Sequence, residues 1–419
     1  MGNRRNALVL TTSVVAIALT VSACTQKKNN AASGNGPQTT GVAATSPAPS
    51  SSAAAAPATV TISAANGATD INPTTPIKVG VAGGSITKVS LTNPDGKAVQ
   101  GALNADKSGW SSAEDLGYDK TYKLTAVAAN PDGQTVTETR SFTTVTPNNM
   151  TMPYIQTAAG GAVSPGVLFG VGQVIRIHFD EQIPNRKLAQ AALSVTTVPA
   201  QAGGFSWLDN QNVYWRTQTY LKPGTKVTIN AKVYGKNFGN GLYGQADTST
   251  WFKVGDSHIS IADDNTKMVN VYTNGKLVKQ MPTSMGRHTS IPGDTGPIDL
   301  RTNSGPHVVV GGETNINMNS ASFGLSKGAN AYKTIVPVGV RISYDGEYVH
   351  WADWSVWAQG NTDTSHGCLN VSPDNAWWFY HYSLPGDIVD VKNTGRTLEE
   401  WNSGYWNVSW AKWMSTSFS

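Results

Sequence analysis

From Lys226 to Val233 apolar and polar residues alternate without a break, with Val227, Ile229, Ala231 and Val233 set against Lys226, Thr228, Asn230 and Lys232. A two-residue period of this kind predicts a strand with one buried and one wet face. Shorter runs of the same kind recur upstream at Thr59-Val60-Thr61-Ile62, in TKVSLTN from Thr87 and in YKLTAVAAN, and downstream in HISIADDN and KMVNVYTN. Between them stand turn signals: Asn-Pro-Asp-Gly at 93–96 and again at 130–133, Pro223-Gly224, Asn274-Gly275 and Asp345-Gly346. Asn-Gly and Asp-Gly at such joints predict tight hairpins. One stretch breaks the pattern: Ser372-Pro373-Asp374 offers an N-cap followed by proline in the first turn, predicting a helix over 373–382.

Spacing and turns divide the chain into two small β-sandwiches of immunoglobulin-like kind, 58–147 and 148–254, and a third β-rich unit, 255–392. A tail, 393–419, carries Trp401, Trp406, Trp410 and Trp413, which predicts a packed clasp on the domain before it. The fold class is therefore mainly β. Neither sandwich contains a cysteine, so neither has an inter-sheet disulfide.

Composition changes this picture chiefly at the N-terminus. Residues 25–57 are rich in Ala, Ser, Pro, Gly and Asn with hardly a large apolar side chain, the signature of a flexible tether. Before them Arg4-Arg5 precede ALVLTTSVVAIALTV, too short and too broken by Thr and Ser for a membrane span, and residues 1–24 are expected to be an export signal. It ends in Val21-Ser22-Ala23-Cys24, which resembles a bacterial lipobox. Lipidation of Cys24 would make the chain a lipoprotein on the outer face of the cytoplasmic membrane, held there by its acyl chains; an ordinary signal peptide with an incidental cysteine is the alternative. The net charge of +4 comes with no cluster of Lys and Arg, so nucleic acid is excluded as a partner.

With Cys24 assigned, Cys368 is the other of the two cysteines, a lone thiol in an exported chain. It lies in Thr-Ser-His-Gly-Cys-Leu-Asn, residues 364–370, poor core material and good site material. A cysteine nucleophile needs a base, a group that orients the base, and donors for the oxyanion. His350 stands at the end of a predicted strand. The remaining histidines, His178, His258, His288, His307 and His381, lack metal-ligand spacing, and no metal or other cofactor is assigned.

His350, fourteen intervening residues and Ser365-His366-Gly367-Cys368-Leu369-Asn370 resemble the signature of the YkuD-type L,D-transpeptidases, bacterial enzymes of peptidoglycan cross-linking. The order of lipobox, tether, two immunoglobulin-like domains, catalytic domain and Trp-bearing C-terminal subdomain is similar to the mycobacterial members. The resemblance implies that Cys368 is the nucleophile and His350 its base. Trp351 stands where the family often has Ser and would orient the imidazole through its backbone carbonyl. Gly367 and the Cys368 backbone N–H would belong to the oxyanion loop, with His366 either catalytic or structural. Met318, Tyr332, Phe323, Trp354, Ser365 and Asn370 would bind substrate; Phe323 replaces a Tyr of related enzymes, and a flap would run from Met318 to Tyr332.

The implied reaction is 3→3 cross-linking of peptidoglycan stem peptides through a Cys thioester with release of D-Ala, and carbapenem β-lactams would acylate the same thiol. Two other classes stay open. A cysteine L,D-carboxypeptidase would use the same pair and release free tripeptide, and a non-catalytic wall-binding lipoprotein would need neither residue.

Overall fold

The computed structural model describes residues 54–418. The segments read as export signal and tether, with Cys24, lie outside these described residues apart from the last few positions up to 57. The alternating segment of the second sandwich forms a strand at Lys226–Ala231, and Val227, Ile229, Ala231 and Val233 are fully buried. It pairs with Leu193–Val198 on one side and Thr248–Val254 on the other, both antiparallel. A second sheet, ordered Pro153–Thr157, Ile175–Phe179, Asn212–Thr217 and Gly203–Trp207, faces it. Ile177, Phe179, Trp207, Val227, Ile229 and Phe252 fill the space between. The period of two thus sends one side chain in each pair to a common core.

The first sandwich repeats the plan with two four-stranded sheets closed on Ile86, Trp110, Leu124 and Phe142. Both Asn-Pro-Asp-Gly turns form as expected: Gly96 and Gly133 sit at φ 77° and 82°. Asn93 Oδ1 and Asn130 Oδ1 each accept the backbone N–H four residues on, at 2.8 Å. Where the two sandwiches meet, the Tyr118 hydroxyl donates to the Gly244 carbonyl (2.8 Å) and the Tyr234 hydroxyl to that of Leu116 (2.6 Å).

The third unit has a five-stranded and a four-stranded sheet. The first is ordered Lys276–Pro282, Met268–Thr273, His258–Asp263, Ile388–Lys392 and Gly305–Val308; the second Gly311–Asn319, Lys333–Arg341, Tyr348–Trp351 and Leu369–Val371. Val271, Val389, Val338, Val349 and Leu369 from both sheets share one core with Ala376 and Phe379 of the helix Pro373–Tyr382. That helix begins as its sequence predicts, with Ser372 Oγ accepting from Asn375 N. Asn274-Gly275 closes a tight hairpin with φ 50° and 79°. Asp345-Gly346 does not: residues 342–347 form a longer loop between antiparallel strands. Here Ser343 Oγ accepts from Glu347 N (2.9 Å), and Asn402 Oδ1 from the tail accepts the N–H groups of Tyr344 and Asp345 (2.8 and 2.9 Å). Long-range bonds outweigh the local turn preference, and the loop buries Glu347.

The tryptophan tail reaches farther than a clasp on the preceding domain. It grips Arg216 of the second sandwich, whose guanidinium carbon lies 4.7, 5.4 and 4.6 Å from the ring centres of Trp406, Trp410 and Trp413. Arg216 also donates to the Val408 carbonyl at 2.7 Å, and Trp413 Nε1 to that of Gly204 at 3.0 Å. Aromatic faces and carbonyls thus take the part of a counter-ion for a buried cation. Trp401 is the exception, left exposed. The second sandwich and the third unit also touch backbone to backbone, Gly170 N to Pro385 O and Gly172 N to Gly386 O, both 2.8 Å. A Cβ on Gly170 would fall 2.2 Å from Asp387 N, so only glycine fits this approach.

Candidate active site

Two neighbouring strands of the four-stranded sheet bring the motif residues together. Tyr348–Trp351 runs parallel to Leu369–Val371, with Val349 opposite Leu369 and His350 opposite Asn370. His350 therefore projects beside Asn370, and Cys368 enters from the turn just before its strand. Sequence separation of eighteen residues disappears in one ladder step.

The turn that carries Cys368 is held from several directions. Ser365 Oγ accepts from Gly367 N (3.1 Å) and donates to the Cys368 carbonyl (2.6 Å). Thr302 Oγ1 donates to the Gly367 carbonyl (2.7 Å) and accepts from Gly286 N (3.0 Å). Gly367 has φ 135°, which favours glycine on backbone grounds alone, since a Cβ there would meet nothing closer than Glu347 at 3.7 Å. Asn370, buried, donates its amide to Ser355 Oγ at 3.0 Å and so ties the strand to the Trp354 turn.

His350 is buried, and its Nδ1 lies 2.6 Å from the Trp351 carbonyl. A carbonyl only accepts, so the proton sits on Nδ1 and Nε2 is left as a base. Burial pushes the imidazole down to about 4, against the opposing pull of the Trp351 carbonyl and Asn370. Burial also pushes the Cys368 thiol up to about 12; the Tyr348 backbone N–H opposes this, while Glu347 and Asp345 add to it. At neutral pH the pair is thiol and imidazole, both uncharged. The thiol donates to the Gly346 carbonyl at 3.6 Å.

These groups line one cavity of about 310 Å³ with Met318, Tyr332, Thr334, Trp354, Thr364, Ser365, His366 and Asn370. Trp354, half-exposed, stands 6.0 Å ring to ring from His350 and forms a wall. The Tyr332 hydroxyl is raised in pKa, first by burial and then by the neighbouring Cys368. Phe323 and Gly367 do not line the cavity. Phe323 stands behind it, 6.2 Å from the Tyr332 ring and 6.4 Å from that of His366, in a small cluster with Ile291, Leu300 and Leu325. The flap above is knotted on Ser320, whose Oγ donates to Leu325 O (2.7 Å) and accepts from Tyr332 N (2.9 Å).

Several contributors escaped sequence reasoning. Thr364 belongs to the quoted motif, so its position was a usable signal. Thr302 and Arg287 are distant in sequence and carry none; Thr334, Gly346 and Glu347 stand beside Tyr332 and shortly before His350, but Gly346 reads as a turn residue and the other two as ordinary strand positions. Glu347 is buried behind the nucleophile, accepting from Asn303 N (2.8 Å), Asn303 Nδ2 (3.0 Å) and His307 Nε2 (3.1 Å). Among the described residues, one group of metal-ligating type converges, Asp264, His288 and Asp363. The Lys267 ammonium already bridges both carboxylates, so the cluster carries its own cation.

Comparison with known proteins places the chain in a family. A bacterial Ig domain model matches residues 68–237, and an L,D-transpeptidase catalytic domain model matches residues 257–391. L,D-transpeptidase 2 of Mycobacterium tuberculosis is 41% identical over 357 residues, covering 84% of this chain and 83% of the relative. L,D-transpeptidase 5 of the same species is 33% identical, with 85% and 76% covered. A solved structure of L,D-transpeptidase 3 from that species, in complex with a faropenem-derived adduct, is 28% identical, covers 55% of this chain and 95% of its own, and has a TM-score of 0.45.

Proposed function

The chain belongs to the L,D-transpeptidase family, and from that premise we propose that it joins peptidoglycan stem peptides by 3→3 cross-links through a thioester on Cys368. One observation carries the reading to these residues: the lone thiol and a buried, neutral imidazole with its proton fixed on Nδ1 open into the same cavity.

In the proposed reaction the donor is a tetrapeptide stem whose third residue is a diamino acid. His350 Nε2 takes the Cys368 proton as sulfur attacks the carbonyl carbon of that third residue. In this reading the Cys368 N–H and a neighbouring donor of the same cavity, the Tyr332 hydroxyl, stabilise the developing oxyanion. The C–N bond breaks, His350 returns the proton to the amine of leaving D-Ala, and a thioester remains. The side-chain amine of a second stem then attacks, gives its proton to His350, and the thiol is restored. Water attacking the same thioester would yield free tripeptide, so exclusion of water decides between transfer and carboxypeptidase activity. The flap closing over an apolar wall of Met318, Tyr332 and Trp354 serves that end. The proposal extends to β-lactams of the carbapenem class, whose strained carbonyl presents Cys368 with the same acyl chemistry.

For location, we propose that Cys24 is lipidated and holds the chain on the outer face of the cytoplasmic membrane, on the strength of Val21-Ser22-Ala23-Cys24 after an apolar run. Metabolic labelling with a fatty acid, lost in Cys24→Ala, tests this part.

Intact-mass spectrometry with a disaccharide-tetrapeptide tests the chemistry. The expected species is an adduct of substrate less D-Ala, absent in Cys368→Ala, together with a cross-linked dimer. Folded protein that forms no adduct and releases no D-Ala would leave a wall-binding lipoprotein.

A further inference from the structure

Arg287 comes from a segment that neither the motif nor the flap contains, yet it touches both. Its backbone N–H donates to the Ser365 carbonyl at 3.2 Å. Its Nη2 reaches Asn330 Oδ1 of the flap at 3.2 Å and His366 Nε2 of the nucleophile loop at 3.1 Å. A guanidinium only donates, so His366 Nε2 is the acceptor and its ring proton is on Nδ1. The ring is flanked by the flap: Tyr332 lies 5.1 Å away, Phe323 6.4 Å, and the Asn330 carbonyl faces it. Arg287 Nε is buried without a partner, a cost accepted for holding the fork in this direction.

We infer that Arg287 is a positioning residue that latches the flap to the nucleophile loop through His366, and that this latch sets how long the acyl-enzyme is kept from water. The inference rests on the transpeptidase reading above. In it His366 is neither base nor acid. It is the joint at which the flap senses the loop two residues before Cys368.

The latch is acid-sensitive by construction. Protonation of His366 would turn an N–H toward the guanidinium and set two cations about 3 Å apart, reversing the contact. The titratable and charged groups around the ring are Arg287 from its own segment, Tyr332 from the flap and Cys368 from the nucleophile loop. Burial, and next the Arg287 charge, lower the His366 pKa from 6.5. The neutral ring and closed latch therefore persist below pH 6.5.

The test uses the full chain with a disaccharide-tetrapeptide, comparing wild type with Arg287→Met, Arg287→Lys and His366→Asn. Two quantities are read: the ratio of cross-linked dimer to hydrolysed tripeptide, and the fall of that ratio as pH drops, its acid limb. Arg287→Met is expected to lower the ratio about tenfold, the size of one lost charge-assisted bond, and to flatten its acid limb, since protonated His366 then faces no second cation. Arg287→Lys restores the charge without the fork, so the limb returns and the ratio recovers in part. His366→Asn lowers the ratio and removes the part of the limb that protonation of the latch adds, leaving only what titration of His350 and of the acceptor amine imposes, and it carries the test by itself if Arg287→Met fails to fold. A folded Arg287→Met or His366→Asn with wild-type ratio and limb would overturn the inference. Wild type that neither releases D-Ala nor forms dimer would instead remove the transpeptidase reading beneath it.

Discussion

The imidazole of His350 gives its Nδ1 proton to the main-chain carbonyl of Trp351, the very next residue, at 2.6 Å. Orientation of the base thus depends on backbone, and the identity of side chain 351 is free to vary. Trp351→Ala should keep D-Ala release within about threefold of wild type, whereas His350→Gln should lower it about 10²–10⁴-fold. The Trp351 ring is partly buried against two apolar clusters, so the alanine variant should also lose about 2–4 kcal/mol of stability. Steady-state D-Ala release beside a denaturant melt separates the two effects. A hundredfold loss of activity in Trp351→Ala would mean that the ring itself is needed.

The protonation states of the pair make a prediction of their own. With the thiol pushed up to about 12, alkylation of Cys368 by iodoacetamide should rise about tenfold per pH unit through pH 10 without levelling. A plateau already reached near pH 5 would signal a thiolate–imidazolium pair and contradict the geometry. The sign for His350 is the opposite. Its folded pKa of about 4 lies below the ordinary 6.5, so the unfolded chain binds the proton first and stability falls as pH drops from 6.5 to 4. The loss amounts to about 3 kcal/mol, and His350→Gln should remove that part of the pH dependence.

A third prediction concerns the tail. Trp413 is fully buried and stacked on the Arg216 guanidinium, which burial lowers to about 10 in pKa. Trp413→Ala should cost about 3–5 kcal/mol. Arg216→Lys should also destabilise, since an ammonium cannot present a plane to three rings while bonding the Val408 carbonyl. Thermal melts of the full chain check both. A melting point unmoved by either change would show that the tail's grip on the second sandwich contributes nothing.

What was legible in the sequence follows from the range of the interactions responsible. The Lys226–Ala231 strand, both Asn-Pro-Asp-Gly turns, the Asn274-Gly275 hairpin and the Ser372 cap are fixed by neighbours a few residues away, and each appears where the pattern places it. The loop at 342–347 does not, because its partners are Asn402 and Asn303, far along the chain. The same division runs through the site. The motif around Cys368 could be read as a string, yet the residues that hold it, Thr302, Glu347 and Arg287, meet it only through the sheet. Phe323 shows the complement: its place in the flap suggests a contact for substrate, and its ring packs in a cluster with Leu325 and Leu300.

Glu347 supplies the last prediction. Its carboxylate is buried, accepts three hydrogen bonds from Asn303 and His307, and, ahead of Asp345, opposes ionisation of Cys368. Glu347→Gln keeps a carbonyl oxygen for Asn303 and removes the charge. The thiol pKa should then fall, and alkylation at pH 9 should quicken about 2–10-fold, because part of the Coulombic penalty on the thiolate is gone. Stability should drop by about 1–3 kcal/mol, because the amide NH2 now faces the His307 N–H and that charge-assisted bond is lost. Alkylation kinetics and a melt on the same preparation read both consequences. A slower thiol in a well-folded Glu347→Gln variant would show that the carboxylate acts by holding the Gly346 carbonyl in place, and that its charge is secondary.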